Sequence, residues 1–193
     1  GDVYKRQGGG AGGYRTSFPG GTGLTLSGYG SISTPVTVGA GGSAGTYPGS
    51  AATSGSNSIF STITSAGGGR GGGYVGSFYD ALTGGSGGGA SYNSGPVPTG
   101  RPQGAAGNTP PVSPPQGNAG GNGITDCQSG GSLAAGGGGG GASAASTPVS
   151  GPTFAAGIGG AGSPNSISGS AVTYAGGGGG GGYNQSGGAG GSG

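Results

Sequence analysis

Val172-Thr173-Tyr174-Ala175 runs into seven consecutive glycines at 176–182, and Tyr183 closes the run. Seven glycines bring no side chain to bury, and each loses more conformational freedom on ordering than any other residue, roughly 0.5–1 kcal/mol more than alanine. Two outcomes are open to such a run. It stays disordered, or it orders as an extended helix of three residues per turn, polyglycine II, with its N–H and C=O groups bonded sideways to neighbours. That form has no internal hydrogen bonds and rises about 3.1 Å per residue, so one run alone has nothing to hold it. In a bundle, close backbone approach satisfies every polar group and adds Cα–H···O contacts.

Candidate neighbours recur along the chain at 8–13, 67–73, 84–89, 136–141, 157–162 and 187–193. The structural runs are bounded by Gly67 and Gly73, Gly136 and Gly141, and Gly176 and Gly182. Two of them lie in an internal repeat. Asn57-Ser58-Ile59 matches Asn165-Ser166-Ile167, and Ile63-Thr64-Ser65-Ala66-GGGRGGG-Tyr74 matches Val172-Thr173-Tyr174-Ala175-GGGGGGG-Tyr183. Arg70 stands where the second copy has Gly179. A long charged side chain does not fit between packed backbones, so 67–73 is predicted to be an edge run with Arg70 pointing out, and 176–182 a central one.

Composition narrows the class. The chain of 193 residues holds 63 glycines and 13 prolines, with 28% hydrophobic and 4% charged residues. That is too little charge for a usual disordered chain and too few large apolar groups for a conventional core. A net charge of +2 gives no reason to expect nucleic acid or a membrane surface as partner, and no apolar stretch approaches a membrane span. There is no histidine, and the acids are Asp2, Asp80 and Asp126. An imidazole base, a paired-carboxylate site, a metal site and a cofactor are therefore not expected, and the protein is expected not to be an enzyme. Cys127 is alone, so no intrachain disulfide forms. Residues 120–126, GGNGITD, nearly match a calcium-binding turn, but the aspartate falls one residue late and no tandem copy is present. Arg70-Gly-Gly is a single copy of a motif that binds RNA only in arrays.

Residues 1–7, GDVYKRQ, differ in composition from the rest of the chain and resemble a translated adapter remnant. They are set aside, and 8–193 is expected to be one glycine-rich domain, itself a fragment. Short strands are predicted at 22–27, 35–38, 58–65 and 171–174, each ending at glycine or a turn. Helix signals are nearly absent, and Ser77 to Leu82 offers at most one turn. Prolines dominate 95–118, predicted as an extended, semi-rigid loop. Its P-x-x-P at 111–114 has no flanking cation and reads as spacer.

Nine tyrosines and four phenylalanines remain. Tyr74 and Tyr183 read as lids on the ends of the repeated runs. Phe78, Tyr79, Asp80, Tyr92 and Arg101 fall in the connections after the first run, and form the candidate binding face, since loops on a rigid scaffold are where binding groups concentrate.

Taken in order, Val36-Thr37-Val38-Gly39-Ala40-Gly41-Gly42, Gly55-Ser56-Asn57-Ser58 leading into GGGRGGG, GNTPPVSPPQGNAGGNG at 107–123, and Val172-Thr173-Tyr174-Ala175 into GGGGGGG resemble the glycine-rich domain of bacteriophage tail-fibre and related virion proteins. The resemblance spans 8–193 and lacks the apolar strand that usually precedes the first run. It implies a non-helical fold of short β-strands with a polyglycine II bundle, placed in a virion or outside the cell. It also implies a bacterial surface receptor, glycan or outer-membrane protein, as partner, and assembly into a homo-oligomer or larger fibre. Three alternatives stay open at this point: an extracellular glycine-rich wall or matrix protein, an ice-binding polyglycine bundle, and a disordered low-complexity segment.

Overall fold

The computed structural model describes residues 8–18, 23–26, 33–46, 50–74, 78–91, 102–124, 134–149, 155–183 and 185–193. Among these there is no helix. Regular structure is confined to nine short strands: β1 (Val36–Thr37), β2 (Ser58–Phe60), β3 (Ile63–Ser65), β4 (Gly73–Tyr74), β5 (Phe78–Tyr79), β6 (Ala134–Ala135), β7 (Ser163–Asn165), β8 (Val172–Tyr174) and β9 (Gly182–Tyr183). All pairings are antiparallel: β1-β2-β3 form one sheet, and β4-β5, β6-β9 and β7-β8 are pairs.

Between the strands, the glycine-rich segments bond to one another with a period of three. Gly136, Gly139 and Ala142 donate to the carbonyls of Gly181, Gly178 and Ala175, while Gly137 and Gly140 donate to Ala90 and Gly87. Gly157 and Gly160 donate to Gly136 and Gly139, and Gly177 and Gly180 donate back to Gly160 and Gly157. Successive N–H groups thus turn to different neighbours, and every third returns to the same one. Rising partner numbers mark parallel neighbours, as for 157–160 on 136–139; falling numbers mark antiparallel ones. Both kinds occur.

These directions sort the connections onto two ends. At one end lie the β1-β2-β3 sheet, the β7-β8 hairpin, residues 14–18 and the proline turn 109–115. We call this the hairpin end. The other end carries β4-β5, β6-β9 and a small apolar cluster of Ile124, Ala135, Val149 and Ala156. We call it the linking end. Large side chains are thereby kept out of the glycine layer between the two ends.

The most enclosed segments are 84–91 and 134–141, buried throughout. Segment 84–91 bonds to 8–11, 67–72, 82, 105–109, 118–121 and 137–140. The run 176–182 is not the centre. Only Gly177 and Gly180 in it are buried, three residues apart, and the others are half-buried. The first run, 67–73, is in fact buried at Gly69 and from 71 to 73. Length of a glycine run does not decide centrality; enclosure on all sides does, and Ser86, Ala90 and Ser91 fit inside because they are small.

The repeat is real in its second half. Each copy runs hairpin, glycine segment, then a two-residue strand closed by tyrosine: β2-β3 to β4, and β7-β8 to β9. The matching Asn-Ser-Ile triplets do not correspond. Ser58 faces Ser65, whereas Ser163 faces Tyr174, so the structural counterpart of Ser58 is Ser163 and not Ser166. The Asn57 side chain accepts from Gly67 N at 3.0 Å, and that of Asn165 from Ile167 N at 2.8 Å.

Other expectations change as well. Residues 58–65 form a hairpin rather than one strand, turning at Ser61-Thr62, with Ser61 at φ 53°. The strand expected over 22–27 is absent from its described part, 23–26. Ser77 to Leu82 holds no helical turn in its described residues, because Phe78–Tyr79 pairs with Gly73–Tyr74. Strands are found as expected at Val36–Thr37 and Val172–Tyr174.

Ala175, the first residue past β8, sits at φ 62°. This left-handed conformation brings a Cβ too close to the following carbonyl, at a cost of roughly 1–2 kcal/mol. Glycine adopts it without strain but has more freedom to lose. Ala175→Gly is therefore expected to stabilise the fold by about 0.5–1 kcal/mol, read as a raised midpoint in chemical denaturation.

Candidate functional site

The sequence-derived face is brought together only in part. Tyr79 lies in β5 at the linking end and is half-buried; Asp80 beside it is exposed. Phe78 shares the strand. Tyr92 and Arg101 lie outside the described residues. Ser91 and Pro102, which flank them, are both at the linking end, because Ala90 and Gly123 bond to Gly121 and Pro102.

Tyr79 is less available than an exposed contact residue would be. The Arg70 guanidinium stacks over its ring, 4.9 Å from the centroid, an arrangement in which the ring's negative face attracts the cation. Arg70 Nη1 donates to the Ala52 carbonyl at 3.4 Å, and the Arg70 backbone N–H donates to Ser54 Oγ at 3.0 Å. Arg70 therefore does not point straight out from an edge. It folds across the linking end, with its Nε buried and without a hydrogen-bond partner. The segment 50–56 covers 67–73, which is why the arginine is tolerated there. Arg70 and Tyr79 line one end of an open groove of about 540 Å³ between residues 9–13, 39–45 and 65–72.

The hairpin end holds a second candidate face that sequence reasoning missed. Phe18, Leu24, Leu26, Val36, Val38, Ile59, Phe60, Ile167, Val172 and Tyr174 are all exposed there, Val38 at 83% and Ile167 at 70%. They are scattered over some 150 positions in sequence, and only the direction of the glycine segments gathers them. A cleft of about 970 Å³ opens among them, lined by Tyr14, Arg15, Leu24, Phe60, Ile63 and Pro114. Its walls are held by specific polar contacts. Asn165 Nδ2 donates to Tyr14 Oη at 2.7 Å, and the Tyr14 and Tyr174 rings stack at 6.4 Å and 15°. Arg15 Nη1 reaches the Thr64 carbonyl at 3.3 Å.

Gln116 carries the proline turn that forms the third wall. Only 1% exposed, it accepts from Ala66 N at 2.9 Å and donates to the Pro110 carbonyl at 2.9 Å. Asn108 Oδ1 accepts from Val112 N at 3.1 Å and Gln116 N at 3.2 Å, closing the same turn.

Among the described residues, no three His, Cys, Asp or Glu side chains gather to hold a metal ion, and no helix is long and apolar enough to cross a membrane. In the calcium-like stretch, Gly120 and Gly121 donate to Ala105 and Gly138 within the glycine layer, and Asp126 lies outside the described residues. Tyr74 and Tyr183, read from sequence as lids, have their backbones in β4 and β9 at the linking end. No family model, curated protein or solved structure matches this chain.

Proposed function

We propose that this chain is a non-catalytic structural and adhesive module: a polyglycine II bundle that presents loops for binding a bacterial surface, as in a phage tail fibre or related virion protein. The observation that carries the reading is the three-residue rotation of hydrogen bonds through 84–91, 134–142 and 157–180. A β-ladder alternates with a period of two; a three-residue period is what three-per-turn backbones in mutual contact require. A scaffold bonded sideways along its whole length holds its connections fixed at the ends, where recognition residues are best placed.

The receptor is a surface glycan or an outer-membrane protein, met by the linking end through Asp80 and Tyr79, with Arg101 as a further contact residue read from the sequence. A second reading places the contact at the hairpin end, favoured by the exposed cluster around Leu24 and Phe60. Binding of labelled protein to bacterial surface fractions separates them. Loss of binding with Asp80→Ala plus Arg101→Ala supports the first face, and loss with Leu24→Ser plus Phe60→Ser the second. Binding unchanged by both pairs, or absent in the unaltered protein, overturns the adhesive role. The bundle itself is tested by residue-resolved amide exchange. Amides of 84–91 and 134–141 should exchange far more slowly than those of 23–26, and random-coil exchange throughout would refute it.

A further inference from the structure

The groove between 9–13, 39–45 and 65–72 has the features of an unfilled place in the glycine layer. Segment 8–13 is bonded on its other sides: Gly10 and Gly13 donate to Gly69 and Ala66, Ala11 donates to Gly140, and Ser86 and Gly178 donate to Ala11 and Gly9. Its remaining phase, Gly9 and Gly12, is exposed, and no described group accepts from either N–H. Gly41 across the groove is likewise exposed and unbonded at N. A Cβ at Gly9 or Gly12 would find its nearest atom 3.8 or 4.0 Å away, and one at Gly41 would find nothing within 4 Å. Everywhere else in segment 8–13, a glycine Cβ would collide with backbone or with Gln116.

The opposite condition holds at 185–193. Gln185, Gly188 and Gly191 are half-buried, and every other described residue there is exposed. Gly188 and Gly191 donate to Gly180 and Gly177, and the Ala189 and Ser192 carbonyls accept from Gly159 and Gly162. The carbonyls of Gly187 and Gly190 accept nothing among the described groups. The layer thus offers a glycine segment bonded through only part of its backbone, with two carbonyls unused, and a slot beside which three N–H groups are unused.

We infer that the slot takes the 185–193 segment of a second copy of this chain, which adds to the layer as one more glycine strand. The reading rests on the proposed bundle. At about 30 Å³ per water and roughly two waters per glycine, the groove of about 540 Å³ holds on the order of nine bare residues. Its walls are mostly glycine, alanine and serine backbone, so a glycine-rich segment with only small side chains along most of its length is the chemistry that fits, as an added strand fits an open sheet edge. Slot and segment are different patches of the chain, so a slot-to-segment contact is heterologous and can repeat from copy to copy.

Sedimentation velocity on the full chain across a concentration series tests this. Association that grows with concentration is expected for the unaltered protein. It should weaken by about tenfold or more in Gly12→Val or Gly41→Val, which fill the slot, and equally in Gly190→Val, where a Cβ has only the Gly177 carbonyl oxygen nearby at 3.7 Å. Gly23→Val, with nothing within 4 Å, should associate normally. Amide exchange on the same samples checks folding. Protected amides in a protein that stays monomeric, or association unchanged in both slot variants, overturns this inference and leaves the bundle standing. Unprotected amides overturn the bundle instead.

Discussion

Valine at Gly89 should abolish cooperative unfolding, whereas valine at Gly23 should leave it unchanged. A Cβ at Gly89 would land on the Gly137 carbonyl oxygen, with the Gly138 oxygen close behind; at Gly23 it meets nothing within 4 Å. Neither backbone can step aside. Gly89 N donates to Gly8, Ala90 N to Gly121 and Gly137 N to Ala90, so relief for one contact breaks others. Overpacking of a yielding core costs about 1–3 kcal/mol. Here the obstacle is backbone on every side, and a loss above about 4 kcal/mol is expected, enough to unfold a domain of ordinary stability. A milder series reads the geometry. Alanine at Gly10 would meet the Ser86 and Gly87 carbonyls, and at Gly13 the Gln116 side chain, while at Gly9 and Gly12 it has 3.8 and 4.0 Å of room. Denaturation midpoints should therefore fall for Gly10→Ala and Gly13→Ala and hold for Gly9→Ala and Gly12→Ala. In a β-strand, with its period of two, residues 10 and 12 would share one fate. A shared fate here would rule out the three-per-turn geometry.

The absence of helix among the described residues was legible because the sequence offers nothing for one: no sustained 3.6 spacing, and glycine throughout. Strands were legible where β-branched residues stand together, at Val36-Thr37 and Val172-Thr173. They were not at β4-β5 and β6-β9, whose Gly73, Gly182, Ala134 and Ala135 carry no alternation and pair because the glycine segments bring them side by side. The two-residue turn inside 58–65 was hidden because Ser61-Thr62 lacks the glycine or asparagine that marks a two-residue hairpin; serine takes the positive φ that they usually would. Placement of the runs was illegible for a different reason. Glycine count says how closely backbones can approach, not how many sides are occupied, so the seven-glycine run read as central while 84–91, interrupted by Ser86 and Ala90, is more enclosed. The same gap separates sequence from site. Arg70 looked outward until the cover of 50–56 and the Tyr79 ring were in place. The apolar hairpin end draws single residues from segments that are neighbours only in three dimensions.

Replacement of Gln116 should be the most damaging change outside the glycines. Its side-chain oxygen accepts from Ala66 N and its amide nitrogen donates to the Pro110 carbonyl, both at 2.9 Å, with 1% of the residue exposed. These bonds tie the proline turn to the start of the 67–73 run, and Tyr14 N donates to the Gln116 carbonyl at 2.7 Å. Leucine in its place would fill the volume but orphan the buried Ala66 N–H, at about 1–3 kcal/mol, and lose the bond to Pro110, an exposed residue, at about 0.5–1.5 kcal/mol, so Gln116→Leu is expected to lose roughly 2–4 kcal/mol. Glutamate distinguishes the hydrogen bonds from the packing, because it keeps the shape and makes their strength depend on pH. A protonated carboxyl accepts from Ala66 N and donates to Pro110, as the amide does. An ionised one cannot donate and is buried as a charge, so its folded pKa rises above the unfolded value of about 4.3. The unfolded state then binds fewer protons, and stability falls as pH rises. Gln116→Glu should match the unaltered protein below about pH 4.3, weaken as pH climbs towards the raised pKa, and stay weak above it. Denaturation midpoints measured from pH 3 to 8 would show this slope, whereas a pH-independent loss would mean that packing alone holds the turn.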